Sequence, residues 1–182
     1  MSRVIGFDPS MSNWGIAVGL YNEKTDVVSI TDLDIIKPEK LTSKKISRSH
    51  KDLLSATQLA SGVFDVIRWY KPDFIYVEVP HGSQSARAAV GYGICIGILG
   101  SLKATGHNFT ELRESQVKMA TVGSRKATKE EMIQWAVKRH KEANWPKHKR
   151  DGKAVITTGT AEHMADAVAT IYAGVKGNNN ES

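Results

Sequence analysis

Four side chains of this chain have the types and positions needed for metal-dependent chemistry. Asp8 ends the first apolar run, and Glu78 lies near the end of a later one, FIYVEVP. His163 and Asp166 are three residues apart in a predicted helix, which places them on one helix face. Carboxylates crowded into one place repel each other, and a divalent cation removes that repulsion. These residues therefore predict a metal site.

Each acid taken alone has a simpler interpretation, as a solvated side chain or a helix cap. The position of Glu78 argues against this simpler interpretation, because the residue lies within an apolar run where burial of an unpaired charge is costly. The prediction of a metal site therefore depends on the four side chains meeting in space.

The first half of the chain predicts the strands that must carry two of these acids. Short apolar runs at 4–7, 14–20 and 27–36, separated by turn residues, indicate an antiparallel meander. A helix is predicted over 43–70, where apolar residues recur every three or four positions before Pro72. A fourth strand follows at 73–79. In a mixed sheet of this order the first and fourth strands are neighbours, so we expect Asp8 and Glu78 to lie close together.

The second half of the chain predicts further helices around one more strand. Helices are indicated at 83–105, at 114–121, from a Thr128 cap to about 143, and over 160–175 with Thr160 as cap. A fifth strand is predicted at 107–113, a basic loop at 144–153 and a disordered tail at 177–182. The predicted fold class is therefore α/β, with a five-stranded mixed sheet flanked by helices in a single domain at 1–176.

Positive charge is unevenly distributed along the 182 residues. The formal net charge is +6, and the segment 113–153 holds twelve Lys and Arg against five acids. A second basic cluster lies at 40–51. Clustered positive charge favours a polyanionic partner, nucleic acid first, although a solvated basic surface is the alternative interpretation.

The sequence also indicates a cellular compartment. No apolar stretch reaches the ~20 residues of a membrane span, and the N-terminus lacks the features of a secretory signal. The single cysteine, Cys95, lies in an apolar run, where we expect a packed thiol in a reducing compartment. We therefore expect a cytoplasmic protein without a membrane partner.

Motifs distributed over nearly the whole chain resemble those of one nuclease family. They are GFDPSMSNWGIAV, IYVEVPHGSQSARAAVGYG, SQVKMATVGSRKATKEEM and EHMADAVATIYA, and they extend from about Arg3 to Ala173. In this order they resemble the motifs of the RuvC-type Holliday junction resolvases, nucleases of the RNase H-like superfamily with bacterial and bacteriophage members. The resemblance implies a homodimer that cleaves branched DNA, four-way junctions above all, in the cytoplasm of a bacterium or a phage-infected host.

The resemblance also assigns roles at the metal site. Asp8, Glu78 and Asp166 match catalytic carboxylates of the family, and His163 matches a position where many relatives carry Asp and some carry His. The implied cofactor is Mg²⁺ or Mn²⁺, as one or two ions in each active site, and an imidazole ligand favours Mn²⁺. Ser10 is a departure, since the family usually has glycine after Asp-Pro.

Basic residues after the fifth predicted strand match lysines of the family. Lys118 is expected to stabilise the pentavalent phosphate as a catalytic residue, and Lys129, eleven residues later, to hold the DNA backbone. His81 stands where relatives often carry an aromatic that presses against bases at the branch point. The expected DNA-binding residues are His81, Ser83, Arg87, Lys118, Arg125, Lys126 and Lys129. For Lys126 alone, a solvated surface lysine is the simpler interpretation.

Together these expectations describe a metal-dependent endonuclease that resolves four-way junctions, with other branched DNA as further substrates, and leaves 5′ phosphates. One alternative is a junction-binding architectural protein with weak or lost cleavage, in which His163 is the suspect substitution. Another is a broader nuclease acting on flaps or forks. The sequence identifies neither the preferred cleavage sequence nor a branch-migration motor as partner.

Overall fold

The structure is a computed structural model that describes residues 1–82, 85–150 and 153–180. Strands and helices follow one another along these residues as β1 (Ser2–Asp8), β2 (Trp14–Asn22), β3 (Val27–Ile36), α1 (Arg48–Tyr70), β4 (Phe74–Glu78), α2 (Ala86–Ala104), β5 (Thr110–Leu112), α3 (Glu114–Thr121), α4 (Lys129–Arg139), β6 (Lys147–Arg150), β7 (Lys153–Ile156) and α5 (Thr158–Asn180). In the described ranges, no helix combines the length and apolar character that a membrane span requires.

Strand β1 lies at the centre of a five-stranded sheet with the order β3-β2-β1-β4-β5. The first three strands form the predicted antiparallel meander, in which Asp8 of β1 lies opposite Gly15 of β2. Strand β4 pairs in parallel with β1, and β5 pairs in parallel with β4. The mixed sheet flanked by helices is therefore confirmed, as is the predicted adjacency of the first and fourth strands.

The two faces of the sheet belong to two hydrophobic layers. Ile5 and Phe7 pack in the layer that contains α1 and α2, whereas Val4 packs in the layer that contains α5. Successive side chains of a strand point to opposite faces, so Asp8 lies on the α5 side of β1. Tyr76 of β4 also packs in the α5 layer. The same alternation therefore places Glu78, two residues later, on the α5 side.

Helix α5 lies directly against the strands because glycines face it. A Cβ atom at Gly6 would lie 2.1 Å from the carbonyl oxygen of Ala167, and one at Gly15 would lie 2.1 Å from the carbonyl oxygen of His163. Non-bonded atoms do not approach so closely, so these two positions require a residue without a Cβ atom. The close approach brings the side chains of α5 to the edge of the sheet where β1 and β4 end.

Three predictions for the C-terminal part of the chain are wrong. The basic loop predicted at 144–153 contains β6, which pairs with β7 in an antiparallel hairpin. The last helix begins at Thr158 rather than Thr160, because the carbonyl of Thr157 already accepts a hydrogen bond from the amide of Ala161. The helix also continues to Asn180 through part of the predicted tail, where no proline interrupts it. Residues 181 and 182 lie outside the described ranges.

Other predicted helices and strands are present in the structure but are shorter than predicted. The helix predicted at 43–70 begins at Arg48, because the Ser47 hydroxyl accepts a hydrogen bond from the amide of His50 and caps it. Ser85 caps α2 in the same way. Strand β5 has three residues rather than the predicted seven, and α4 ends at Arg139 rather than near 143. Thr128 caps α4 as predicted.

Candidate active site

The ends of β1 and β4 bring two carboxylates to one edge of the sheet. The two strands pair in parallel as far as Phe7 and Val77, so Asp8 and Glu78 follow directly at the same edge. Both lie on the α5 side. Burial raises the pKa of Glu78, and the charge of Asp8 adds to the effect because two negative charges at close range repel each other.

Helix α5 contributes two more side chains to this edge. Nδ1 of His163 lies 2.7 Å from Oδ2 of Asp8, and the two side chains are only 20% and 17% exposed. This hydrogen bond raises the pKa of His163, against the opposite effect of partial burial. Asp166 lies about one helical turn further along α5, where burial and the charge of Asp8 raise its pKa and the charge of His163 lowers it.

Burial and mutual repulsion leave two of the carboxylates hard to ionise. Burial raises the pKa of Glu78 to about 9, and repulsion by Asp8 and Asp166 adds to the effect. Burial likewise raises the pKa of Asp166 to about 7, with repulsion from Asp8 and Glu162 adding to it. Both shifts follow from taking negative charges out of water and placing them side by side.

A cavity of about 120 Å³ extends from these carboxylates towards α3 and α4. Glu78 and Asp166 line it together with the two predicted lysines, each of which is paired with a further acid. Nζ of Lys118 lies 2.5 Å from Oε1 of Glu114, and Nζ of Lys129 lies 2.6 Å from Oε1 of Glu162. The two ion pairs hold ammonium groups beside the carboxylates, where they can meet a phosphate group.

Glu114 and Glu162 are functional candidates that the sequence analysis missed. Glu114 precedes Lys118 by four residues, and Glu162 precedes Asp166 by four. Side chains four apart on a helix are neighbours, so this spacing was the available signal. The pairing of Glu162 with Lys129, in contrast, joins two different helices and has no signal in local spacing.

The oxygen and nitrogen atoms of these four side chains are suitable ligands for a divalent cation, but they do not converge on one point in this structure. In the described part of the chain, no group of three or more His, Cys, Asp and Glu side chains stands ready to hold a metal ion. The nitrogen Nδ1 of His163 is hydrogen-bonded to Asp8. Hard carboxylate oxygens are nevertheless the donors that Mg²⁺ and Mn²⁺ prefer, and a cation would relieve the repulsion that raises the pKa values of Glu78 and Asp166.

A groove of about 860 Å³ lies beside this edge, on the side of α1 and α2. It is lined by Ser10, Lys40, Lys51 and Arg87, among others. Nη1 of Arg87 lies 2.7 Å from Oδ2 of Asp52, and this ion pair holds the guanidinium in the groove. Arg87, selected from the sequence for DNA contact, therefore lies in a groove next to the carboxylates, where both acids and bases are present.

A second groove of about 810 Å³ contains two further residues selected for DNA contact, His81 and Arg125. Lys126 is exposed next to Arg125, in the connection between α3 and α4. Ser83 lies outside the described residues. The structure thus places the described members of the predicted DNA-binding set in the small cavity, in the two grooves or on the adjoining surface.

Comparison with known proteins relates this geometry to one family. Residues 4–158 match the family model described as crossover junction endodeoxyribonuclease RuvC. No curated protein matches the chain in sequence. The family model covers most of the chain, including Asp8 and Glu78 but not His163 or Asp166.

Solved structures resemble the whole chain at low sequence identity. Thermus thermophilus RuvC in complex with Holliday junction substrate is 18% identical, with 97% of each chain covered and a TM-score of 0.67. The yeast mitochondrial Holliday junction resolvase is 16% identical, with 94% of this chain and 77% of that chain covered and a TM-score of 0.62. The fowlpox virus resolvase in complex with Holliday junction DNA is 11% identical, with 96% and 98% covered and a TM-score of 0.56. These likenesses show the RNase H-like fold.

Proposed function

The chain belongs to the RuvC family of crossover junction endodeoxyribonucleases, and from this membership we propose that it resolves four-way DNA junctions by metal-dependent hydrolysis that leaves 5′ phosphates. The observation that carries the proposal is the meeting of Asp8, Glu78, His163 and Asp166 at one edge of the sheet. Two of these residues end parallel strands and two lie on a helix far along the chain, so their meeting is a product of the fold.

The metal would be held by the side chains that the fold brings to this edge. Asp8, Glu78 and Asp166 offer carboxylate oxygens, and His163 offers an imidazole nitrogen, either Nε2 or, once its hydrogen bond to Asp8 is released, Nδ1. When bound, Mg²⁺ or Mn²⁺ lowers the pKa of water and stabilises the charge that develops on the leaving 3′ oxygen. The imidazole favours Mn²⁺ over Mg²⁺ as the better activator.

The lysines beside the carboxylates supply positive charge to the phosphate. Lys118 lies at the cavity that contains Glu78 and Asp166, so its ammonium is placed to stabilise the pentavalent phosphate. Lys129 lies at the same cavity and is more exposed, which suits contact with the DNA backbone. Glu114 and Glu162 hold these lysines in position before DNA binds, and phosphate oxygens would take their place.

Substrate selection would depend on symmetry and charge. A two-fold homodimer places two active sites across a two-fold junction, so that paired cuts separate the duplexes. The basic residues of the two grooves, of Lys126 and of the segment 113–153 would fix the arms through phosphate contacts. Other branched DNA, such as flaps and forks, would be cleaved to the extent that it presents the same geometry.

The test separates cleavage from binding. Asp166→Asn should abolish cleavage of a labelled four-way junction in Mg²⁺ and Mn²⁺, yet leave gel-shift affinity nearly unchanged, because it removes a metal ligand and leaves the basic surface intact. Asp65→Asn, in an exposed ion pair on α1, is the matched control and should cleave like the parent protein. If Asp166→Asn still cleaves, or if three-way, flap and linear DNA are cut as fast as the junction, the proposal is wrong.

One observation favours a second candidate, a junction-binding protein with weak cleavage. The hydrogen bond between His163 and Asp8 occupies one donor atom of each of these two proposed ligands, Nδ1 and Oδ2. If that hydrogen bond persists with metal present, a cation would have fewer donor atoms available and cleavage would be slow. Cleavage followed during Mg²⁺ and Mn²⁺ titrations decides between the candidates, since tight junction binding without cleavage at any metal concentration supports the second one.

A further inference from the structure

The hairpin of β6 and β7 is exposed on both of its faces. Among the described residues its two strands pair only with each other, whereas the other five strands form one sheet. Lys147, His148 and Lys149 are all exposed, although successive side chains of a strand point to opposite faces. Val155, which lies opposite His148, is also exposed. The hairpin is therefore a two-stranded ribbon with solvent on either side.

The base of this ribbon is fixed to the body of the protein. Trp145, just before β6, is buried, and its Nε1 donates a hydrogen bond to the carbonyl of His140 at 2.8 Å. The amide of Thr157 donates a hydrogen bond to the carbonyl of Pro146 across the two ends of the hairpin. Ile156 packs against the hydrophobic layer that contains α5. The position of the ribbon relative to α5 is therefore defined.

Helix α5 places the ribbon beyond the edge of the sheet where the carboxylates lie. The carbonyl oxygen of Ala167 lies against Gly6, and that of His163 lies against Gly15, the residue opposite Asp8. Followed back towards its first residue, the helix therefore runs along β1 to Asp8 and then past it. The first residue of α5 precedes His163 by five positions, or about 7.5 Å along the helix axis. The ribbon thus begins on the side from which a large substrate would approach the carboxylates.

The charge and the dimensions of the ribbon match the major groove of duplex DNA. Strand β6 has the sequence KHKR and β7 has KAVI, so neither strand contains an acid. Two paired strands lie about 4.8 Å apart before their side chains are added. The major groove is about 12 Å wide and admits such a ribbon, whereas the minor groove, about 6 Å wide, is narrower than the ribbon with its side chains. Residues 151 and 152, between the strands, lie outside the described ranges.

We propose that the ribbon of β6 and β7 enters the major groove of one duplex arm of the bound DNA, where Lys147 and Lys149 contact phosphates along the groove. The inference rests on the proposed function for its substrate, branched DNA. It adds the element that holds an arm and the groove that this element occupies. From His163 the first turns of α5 and the ribbon together reach at most about 25 Å, or about seven base pairs at 3.4 Å each. The contact therefore falls on the base pairs next to the branch point.

Dimethyl sulfate footprinting of a four-way junction, bound without metal so that it is not cleaved, tests the groove. The reagent methylates N7 of guanine, which faces the major groove, and N3 of adenine, which faces the minor groove. One reaction therefore reports on both grooves. We expect the parent protein to protect guanine N7 within about seven base pairs of the branch point and to leave adenine N3 of the same base pairs reactive.

Paired substitutions connect the protection to the ribbon. The double variant Lys147→Ala/Lys149→Ala should lose the guanine protection and reduce the slope of log affinity against log salt by about 2, because two phosphate contacts are removed. Lys147→Arg/Lys149→Arg keeps both charges and should retain both properties. The matched control Lys24→Ala/Lys71→Ala removes two exposed lysines from the other end of the sheet, away from Asp8, and should bind and protect like the parent.

The outcomes distinguish this inference from the proposed function. If Lys147→Ala/Lys149→Ala protects guanine N7 like the parent, or if the protection that it loses lies at adenine N3, the inference is wrong even when the parent cleaves junctions. If the double variant changes the sedimentation coefficient of the DNA-free protein, the ribbon packs against a second copy and the inference is likewise wrong. If the parent shows the expected protection but cleaves no four-way junction with either metal, the proposed function fails and the role of the ribbon stands.

Discussion

At the scale of single residues, the crowded carboxylates of the candidate site lower the free energy of unfolding. Glu78 lies among buried residues with Asp8 and Asp166 nearby, and its pKa is raised to about 9 as a result. A carboxyl group that must stay protonated in the folded protein, or ionise against its neighbours, destabilises the fold at neutral pH. Such local strain is common at functional sites, where activity rather than stability selects the residue.

The first prediction follows from this crowding. Glu78→Gln should abolish cleavage and raise the free energy of unfolding of the metal-free protein by about 1–3 kcal/mol at pH 7, because the amide keeps the shape and removes the charge. Urea denaturation with a chelator present measures the stability, and the junction assay measures the activity. The exposed Asp65→Asn control should change neither. A destabilised Glu78→Gln protein would show that the carboxyl group supports the fold instead.

At the scale of elements, α5 is the piece that assembles the site. It carries His163 and Asp166 and packs against β1, β2 and β4. Its distance from the sheet depends on glycines, since the Cβ position at Gly15 lies 2.1 Å from the carbonyl oxygen of His163. The same carbonyl belongs to the residue that contacts Asp8. Packing between helix and sheet and the geometry of the site are thus set by the same contact.

The second prediction tests that contact. Gly15→Ala should force α5 away from β2, lower the free energy of unfolding by about 2–4 kcal/mol and reduce junction cleavage at least tenfold, because His163 and Asp166 move with the helix. Gly97→Ala is the control, since its Cβ would meet nothing within 4 Å on an exposed turn of α2. That substitution should leave stability unchanged or raise it by up to about 1 kcal/mol. Equal effects of the two variants would contradict the role of the contact.

The hairpin of β6 and β7 is a second element that lies next to the candidate site, at the beginning of α5. The amide of Thr157, just before α5, donates a hydrogen bond to the carbonyl of Pro146 at 2.8 Å, and Nδ1 of His148 lies 3.1 Å from the Thr157 hydroxyl oxygen. The hairpin is therefore fixed to the beginning of the helix that carries the site. Lys147 and Lys149 alternate with His148 along β6, so both point to the same face.

The third prediction concerns this basic face. Lys149→Ala should weaken junction binding and reduce the slope of log affinity against log salt by about 1, the effect of losing one phosphate contact. Lys24→Ala removes an exposed lysine from the turn between β2 and β3, at the opposite end of β1 from Asp8, and should leave the slope unchanged. If the two variants behave alike, the hairpin does not contact the DNA backbone.

At the scale of the whole molecule, the distribution of charge suits the proposed binding of DNA. The excess of +7 in the segment 113–153 is larger than the net charge of +6 for the whole chain. This segment spans α3, α4 and β6, and both α3 and α4 line the cavity beside Glu78 and Asp166. A basic surface around an acidic cluster would attract the DNA backbone and leave the scissile phosphate to the proposed metal site.

The fourth prediction is a steep salt dependence of junction binding. With roughly 6–10 phosphate contacts, affinity should fall by about 10³- to 10⁵-fold between 50 and 200 mM monovalent salt. Gel shift without divalent metal measures it, and sedimentation of the complex tests whether two copies bind one junction. If the affinity changes little over this range, the basic surface does not contribute to junction binding as proposed.

Local patterns in the sequence were sufficient for most of the fold. The β-branched runs and the apolar spacing of three and four residues depend only on neighbours along the chain, and they predicted the meander and the main helices. The hairpin was missed because the lysine-rich segment 147–150 has weak strand propensity, although the Asp-Gly pair that follows it is a frequent hairpin turn. The start of α5 was predicted wrongly because its first hydrogen bond is accepted by a backbone carbonyl, which leaves no signal in the sequence, rather than by a capping side chain.

The sequence by itself determined which residue types are present for the chemistry, and resemblance to a family identified Asp8, Glu78, His163 and Asp166 among them. Only the tertiary structure decided how they meet: the bond between His163 and Asp8 joins residues 155 positions apart, and Glu162 pairs with Lys129 of another helix. Side-chain types and local periodicity are properties of the chain, whereas contacts between distant residues depend on strand register and on how closely α5 packs against the sheet.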